Sequence, residues 1–197
     1  MQIKSRISAS TRFATFSVIT GILMLCSCLK APLGNPATSK VDPDIVGYWN
    51  QTESDGSGTL YAVAPFDEKA YIVQAYNYKK NGDEYTGKSS CWKAWVTPIK
   101  SSKFITMEQN WALINPKGPE GSVYPTAKYV VAADSLEVTP LKPEYSKFTG
   151  ADTSEKITRI IQDNVADPEM FVTEVMKFRR LNPDAEPDSI LIRSLIN

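Results

Sequence analysis

The sequence predicts a mainly β fold built on an antiparallel sheet. From residue 44 onward the chain consists of short runs of β-branched and aromatic residues, separated by turn signals at roughly 8–12 residue intervals. Before residue 143 no helical pattern alternates with these runs, so the crossover connections of a parallel sheet are not predicted. This spacing is typical of a β-sandwich or a β-barrel.

Seven strands are predicted before residue 142. Asn81-Gly82, between the third and the fourth strand, is a strong signal for a hairpin turn. In the fourth strand Trp92, Ala94 and Val96 alternate with more polar residues, which predicts one buried face. The predicted strands comprise residues 45–53, 59–66, 70–78, 88–99, 104–109, 124–132 and 135–141.

A helix is predicted near residues 153–165. Residues 152–155 combine a threonine that can cap a helix with acidic side chains that suit its first turn. Apolar residues then recur at helical spacing, so we expect them to form a stripe that packs against the sheet. The stripe consists of Ile157, Ile160, Ile161 and Val165.

An eighth strand is predicted after this helix, at residues 173–181. Met176 and Phe178 share one face of that strand. The remaining residues, 182–197, form a C-terminal tail. We expect the tail either to close with a short helix from Pro187 or to be loose.

The start of the chain predicts an export signal. Lys4, Arg6 and Arg12 precede an uncharged and mostly apolar run, residues 13–25, which is too short to span a bilayer comfortably. The run leads into the tetrad Leu-Cys-Ser-Cys, which resembles the lipobox of bacterial lipoprotein signal peptides. That resemblance implies that residues 1–27 are a signal peptide and are removed.

Cys28 is the residue that the resemblance assigns to a lipid anchor. In bacterial lipoproteins the chain is cut just before this cysteine, which carries a thioether-linked diacylglycerol and an acylated amine. Cys26 matches the pattern less well, because Leu25 would then occupy the small-residue position of the cleavage site. The alternative is an ordinary cleaved signal peptide that contains two chance cysteines.

Residues 28–43 are interpreted as the lipidated cysteine followed by a flexible tether. Residues 29–43 contain three prolines, a glycine and several small polar residues, a composition typical of linkers. With Cys28 lipidated and the leader removed, Cys91 would be the single remaining thiol, which excludes an intramolecular disulfide. The folded domain, residues 44–181, is therefore expected to depend on its core for stability.

The composition excludes several functional classes. The chain carries 22 basic and 22 acidic residues, and loss of the basic leader would leave a mildly acidic protein. Without a basic cluster, nucleic acid is not an expected partner. The chain has no histidine, which removes the commonest general base and the commonest metal ligand. No catalytic residue, metal site or cofactor is predicted.

The first predicted strand contains the tripeptide Gly-Tyr-Trp at residues 47–49. It resembles the Gly-x-Trp signature at the start of the first strand of lipocalins and other calycin-like barrels. The order of seven strands, a helix and an eighth strand is also similar to that family. The resemblance covers residues 44–181 and implies an eight-stranded antiparallel barrel with the helix packed outside it.

The same resemblance implies a pair of residues that closes the barrel. In the family the tryptophan plugs the closed end, and a basic residue of the last strand packs across its indole ring. The tryptophan here is Trp49, and the basic candidates are Lys177, Arg179 and Arg180. Arg180 is favoured, because it shares a face with the apolar residues of its strand.

Several patterns look like functional motifs but predict none. Residues 82–89 match the string of a phosphate-binding loop, which requires a helix directly after it. The following residues alternate as a strand does, so a nucleotide is not expected. Cys91 has no histidine that could activate it as a nucleophile. The acid pairs Asp67-Glu68 and Asp83-Glu84 lie in predicted turns, where solvated carboxylates are ordinary.

Aromatic side chains on the predicted strands are the remaining signal for function. They either fill a narrow barrel or line a site for one apolar or amphipathic ligand. A cavity of several hundred Å³ would favour the ligand site, whereas a filled barrel would favour a role for the outer surface. The candidate lining residues are Tyr61, Tyr76, Trp92 and Tyr129.

The expected function is that of a non-enzymatic lipoprotein anchored in the bacterial cell envelope. Leu29, which follows the lipidated cysteine, resembles the pattern of delivery to the outer membrane, with the protein facing the periplasm. The barrel is expected to bind a small apolar or amphipathic ligand. The alternative is a structural or assembly-accessory lipoprotein, in which a filled barrel acts through contacts with envelope proteins. An envelope hydrolase is the third reading.

Overall fold

Eight antiparallel strands close into a barrel in the computed structural model, which describes residues 28–81, 84–108 and 124–196. Each barrel strand pairs with the next one in the sequence, and the last pairs with the first. The strands are β1 Cys28–Leu29, which pairs outside the barrel, and the barrel strands β2 Gly47–Thr52, β3 Ser57–Pro65, β4 Tyr71–Asn81, β5 Glu84–Ile99, β6 Ser102–Glu108, β7 Tyr124–Ala132, β8 Ser135–Pro140 and β9 Met176–Leu181.

This closed antiparallel barrel confirms the predicted fold class and is compatible with a lipocalin-like fold. The predicted leader, residues 1–27, lies outside the described residues, and so does Cys26. Most predicted strands differ from the observed ones by a few residues at their ends. The largest extension is in β5, which begins at Glu84 rather than at residue 88, because its pairing with β4 continues to the Asn81–Glu84 pair.

Alternation of side chains along the strands fills the barrel interior. In β5 the predicted buried face points inward, with Ala94 and Val96 buried and Trp92 partly buried, whereas Trp95 is buried against the outside. The inner core consists of Ile45, Trp49, Val63, Tyr71, Val73, Ala94, Val96, Ile105, Met107, Ala127, Tyr129, Leu136, Val138, Met176 and Phe178.

Helix α1, Ser154–Asn164, packs on the outside of the barrel as predicted. The Thr153 hydroxyl accepts a hydrogen bond from the Lys156 N–H at 3.3 Å and caps the helix N-terminus. Ile157 and Ile161 are fully buried in an outer core that also contains Phe104 of β6. The apolar stripe therefore faces the barrel wall.

The C-terminal tail ends in a helix, α2 Asp188–Ile196, that packs on the opposite outer face. Its Leu191 and Ile192 are buried against residues of β3, β4 and β9. Asp188 holds the start of the helix, because its carboxylate accepts two hydrogen bonds from the Arg179 guanidinium at 2.7 and 2.9 Å. In the part of the chain that the structure describes, no helix has the length and apolarity needed to cross a membrane.

Residues 28–46, here called the N-terminal strap, are packed along the barrel wall, so the predicted flexible tether is wrong. Leu29 and Leu33 are buried, and the Leu33 carbonyl accepts a hydrogen bond from the Trp95 Nε1–H at 2.8 Å. The Ser154 hydroxyl donates to the Gly34 carbonyl at 2.9 Å. Prolines and glycines prevent regular secondary structure, but they do not prevent an irregular segment from burying its apolar side chains.

Leu33 provides a direct measure of how much the strap contributes to stability. We expect Leu33→Ala to lower the free energy of unfolding by about 2–5 kcal/mol, since it would leave a cavity between the strap and the barrel. The measurement is urea unfolding of a leaderless Cys28→Ser protein, followed by circular dichroism. Lys30→Ala, at an exposed strap position, is the control and should change stability by less than about 0.5 kcal/mol. Equal effects of the two substitutions would contradict a packed strap.

Candidate functional site

The two ends of the barrel differ, and the described residues form a plug at one of them. The β3–β4, β5–β6 and β7–β8 turns lie at the plugged end, together with residues 42–46 of the strap; this is called the closed end. The β2–β3 turn lies at the other end, called the mouth, where the β8–β9 connection, residues 141–175, begins and ends. The two ends follow from the antiparallel order, because each strand reverses the direction of the one before it.

Trp49 and Arg180 form the plug of the closed end. Trp49 is fully buried, and its Nε1–H donates to the Ile45 carbonyl at 2.7 Å. The Arg180 guanidinium carbon lies 4.2 Å from the centroid of the indole. Arg180 also donates to the carbonyls of Val46 at 2.8 Å and Asp44 at 2.5 Å. This geometry is the one implied by the family resemblance, with the strap carbonyls as additional partners.

Asp42 is the centre of a polar network beside this plug. Its Oδ2 accepts hydrogen bonds from the Tyr129 hydroxyl and from Lys103 Nζ, each at 2.7 Å. The Tyr71 hydroxyl accepts a hydrogen bond from the Asp42 backbone N–H and donates one to the Asp42 carbonyl. Burial raises the pKa of Asp42, but the bonds from Lys103 and Tyr129 outweigh burial and leave the pKa below its ordinary value.

The barrel interior contains one small apolar cavity among the described residues. Its volume is about 50 Å³, and its lining includes Tyr61, Val73, Met107, Pro125 and Phe178. Sites for drug-sized ligands typically measure about 300–1,000 Å³. The cavity that the described residues line is therefore several times smaller than such a site.

Tyr61 and Gln51 are the polar side chains of interest near this interior. The Tyr61 ring lines the cavity and packs edge-on against Phe178 at 5.3 Å between centroids. Burial raises the pKa of Tyr61 to about 12, so the group is a neutral phenol at neutral pH. Gln51, on the same strand face as Trp49, has a buried Oε1 without a partner among the described residues.

The four predicted lining residues do not lie together. Tyr61 and Tyr129 face the interior, Tyr129 near the closed end, and Trp92 lies partly buried against the inner core. Tyr76 was assigned wrongly, because it lies on the outer face under α2. The period of two in β4 places Tyr71 and Val73 inside and therefore turns Tyr76 outward.

Two larger clefts lie on the outside of the protein. One, of about 230 Å³, runs beside α1 and is lined by Gly150, Lys156 and Arg159 among others. The other, of about 260 Å³, lies between the end of α2 and the β4–β5 hairpin, next to Tyr85 and Leu195. Both exceed the interior cavity in volume.

The residues that resemble functional motifs in the sequence can be placed in the structure. The Lys88-Ser89 end of the phosphate-loop string lies inside strand β5, so it lacks the helix N-terminus that a phosphate-binding loop requires. A Cβ at Gly87 would lie 2.3 Å from the Asn77 carbonyl, so this glycine serves close strand pairing. Burial raises the pKa of the Cys91 thiol, opposite to the shift of an activated nucleophile. No group of three potential metal ligands occurs in these residues.

Comparisons with protein-family models, with curated proteins and with solved structures find no match to this chain. The plug, the polar network and the interior cavity must therefore be interpreted from their own geometry.

The plug predicts unequal and coupled effects of substitution. We expect Trp49→Ala to cost about 3–5 kcal/mol of unfolding free energy as a cavity-forming change. Arg180→Ala should cost about 1–3 kcal/mol, because it removes the cation above the ring and leaves two carbonyls without their donor. The double variant should cost less than the sum, as expected for residues in contact. Arg159→Ala is the exposed control, and strict additivity in urea unfolding would contradict the coupling.

The Asp42 network predicts a pH dependence of stability. The folded pKa of Asp42 lies below the ordinary value of 3.8, so its contribution is present above that pH and is lost as the pH falls through the folded value. We expect Asp42→Asn to lower stability at pH 7 by about 1–3 kcal/mol and to flatten this acid dependence. Asp44→Asn makes the same charge change at an exposed position and is the control. Unchanged acid unfolding profiles for both variants would contradict the prediction.

Proposed function

We propose that this chain is a non-enzymatic lipoprotein of the bacterial cell envelope, anchored by a lipid on Cys28, whose filled barrel acts as a rigid scaffold for contacts with envelope proteins. The observation that carries the scaffold role is the interior cavity of about 50 Å³, which is too small for an ordinary ligand. The sequence favours ligand binding over a scaffold role, whereas the small volume of the interior cavity favours the scaffold role.

The lipid anchor is supported by the sequence of the leader. A positive start, a short apolar run and a Ser-Cys site together have the form of a lipoprotein signal peptide. We further propose that the protein resides in the outer membrane and faces the periplasm, on the basis of Leu29 after the anchored cysteine. With two or more acyl chains, such an anchor would give stable membrane attachment.

A lipocalin-like relationship is also part of the proposal. The support consists of the Gly-x-Trp motif, the closed barrel of eight strands and the contact between Trp49 and Arg180. In this interpretation the plug belongs to the stability of the barrel, and the opposite end is where a ligand would enter.

A second candidate function is binding of a small apolar or amphipathic ligand through the mouth. It is favoured by the apolar lining of the cavity, to which Tyr61 contributes. A short apolar group would match this lining. Anything larger would require side chains such as Phe178 to move.

Mass spectrometry of the protein purified from its host membranes tests these proposals. The denatured protein should have the mass of a chain that begins at Cys28 and carries a diacylglyceryl group and an acylated amine. Cys28→Ser should abolish this modification, and Cys26→Ser should leave it intact. Modification that persists in Cys28→Ser but is lost in Cys26→Ser would show that the anchor is Cys26.

The same sample distinguishes the scaffold from the ligand binder. In native mass spectrometry we expect the mass of the lipidated protein alone, without an additional small molecule, because the described interior cavity is small. A stoichiometric bound molecule that is lost when the cavity is filled by Val73→Phe would favour the second candidate. The thermal midpoint of Val73→Phe should be measured alongside it, to show that the barrel still folds.

A further inference from the structure

The first residues of the described chain lie at the mouth of the barrel. β1 pairs Cys28 with Pro125 and Leu29 with Tyr124, the first two residues of β7. Strand β7 starts at the mouth, because β6 starts at the closed end and the two strands are antiparallel. Pro125 also lines the interior cavity. The residue that carries the lipid in the proposed function therefore lies at the rim of the mouth.

There is no free linker between this residue and the folded protein. Leu29 is 3% exposed, and Ala31 and Leu33 are also buried against the barrel wall and α1. A flexible linker would let a domain move away from its anchor by about 5–6 Å times the square root of the number of linker residues. Since the chain is packed from the first residue after Cys28, the anchor would hold its own end of the barrel at the membrane surface.

Exposed apolar side chains occur at both ends, with Phe66 and Val130 near the closed end and two others at the mouth, so the orientation of the barrel rests on the β1 pairing and the packed strap. Val175, just before β9, is 40% exposed, and Ile196, in the last turn of α2, is 36% exposed. Helix α2 runs toward the mouth, since Asp188 is bound by Arg179 near the closed end, while Leu195 lies beside the β4–β5 hairpin. Isolated apolar side chains at the rim are compatible with the interfacial region of a bilayer.

We propose that the mouth of the barrel faces the bilayer and that the closed end points away from it. The packed strap would fix this orientation. The inference rests on the lipidation of Cys28 in the proposed function. The closed end, with Trp49, Arg180 and the Asp42 network, is then the end that is presented to the aqueous compartment. A ligand that enters the barrel through the mouth would then have to come from the membrane side.

Fluorescence quenching at two matched positions tests this orientation. Ser54, in the β2–β3 turn, is exposed at the mouth, and Ser101, in the β5–β6 turn, is exposed at the closed end. The nine residues of β3 span about 30 Å along the strand, so the two ends are well separated. Ser54→Cys and Ser101→Cys would each be made in a Cys91→Ser background, in the full-length lipidated protein, and labelled with the same small fluorophore.

The labelled proteins would be reconstituted in phosphatidylcholine vesicles that contain lipids with a nitroxide in the headgroup. We expect several-fold stronger quenching at position 54 than at position 101. Equal quenching, or stronger quenching at position 101, would overturn the orientation. The mass of the same sample reports lipidation separately: a lipidated protein with equal quenching contradicts only the orientation, whereas a protein without lipid on Cys28 contradicts the proposed function as well.

A spacer variant provides the matched control. In this variant, Cys28 is followed by a copy of Leu29-Lys30, then by a flexible Gly/Ser segment, and then by the native sequence from Leu29 onward. The residues next to the anchored cysteine and the strap sequence are therefore both retained. We expect the difference in quenching between positions 54 and 101 to be lost in this variant. A difference that persists would overturn the role of the strap in fixing the orientation.

Discussion

The Arg180 side chain joins three parts of the molecule that are far apart in the sequence. From the last strand, its guanidinium covers the indole of Trp49 on the first barrel strand, and it donates to the carbonyls of Asp44 and Val46 in the strap. A cation that stacks on a ring and also binds two carbonyls is held from several sides. The closing strand β9, the plug and the end of the strap therefore meet at this one group.

The strap extends this dependence over the length of the barrel. It starts at the mouth beside β7, crosses the outer wall through the Leu33 carbonyl and the Trp95 indole, and ends at the plug with Asp42. No disulfide links described residues, and the free thiol of Cys91 lies on the wall. The strap therefore connects the two ends by packing and hydrogen bonds, which a flexible tether of the same composition could not do.

The sequence predicted what depends on local periodicity. The strand order, the inward face of β5 and the stripe of α1 follow from periods of two and 3.6 residues, and they are present in the structure. The prolines and glycine of the strap predict a linker, whereas the alternation of Leu29, Ala31 and Leu33 indicates the buried extended segment that is observed. The interior volume could not be predicted, because it depends on how side chains from eight strands interdigitate.

In the proposed scaffold function, the barrel would act through the surface that its own chain leaves uncovered. The strap and α1 cover the outside of β5 and β6, and α2 covers parts of β3, β4 and β9. Near the closed end, Val130 of β7 pairs in register with Glu137 of β8, which pairs with Lys177 of β9; these three residues form a row on the outer face. Val130 is 53% exposed, and Glu137 and Lys177 form a surface ion pair. Surface ion pairs contribute little to stability. If the mouth faces the membrane, this row lies on the half of the barrel farthest from the lipid, where another envelope protein could reach it.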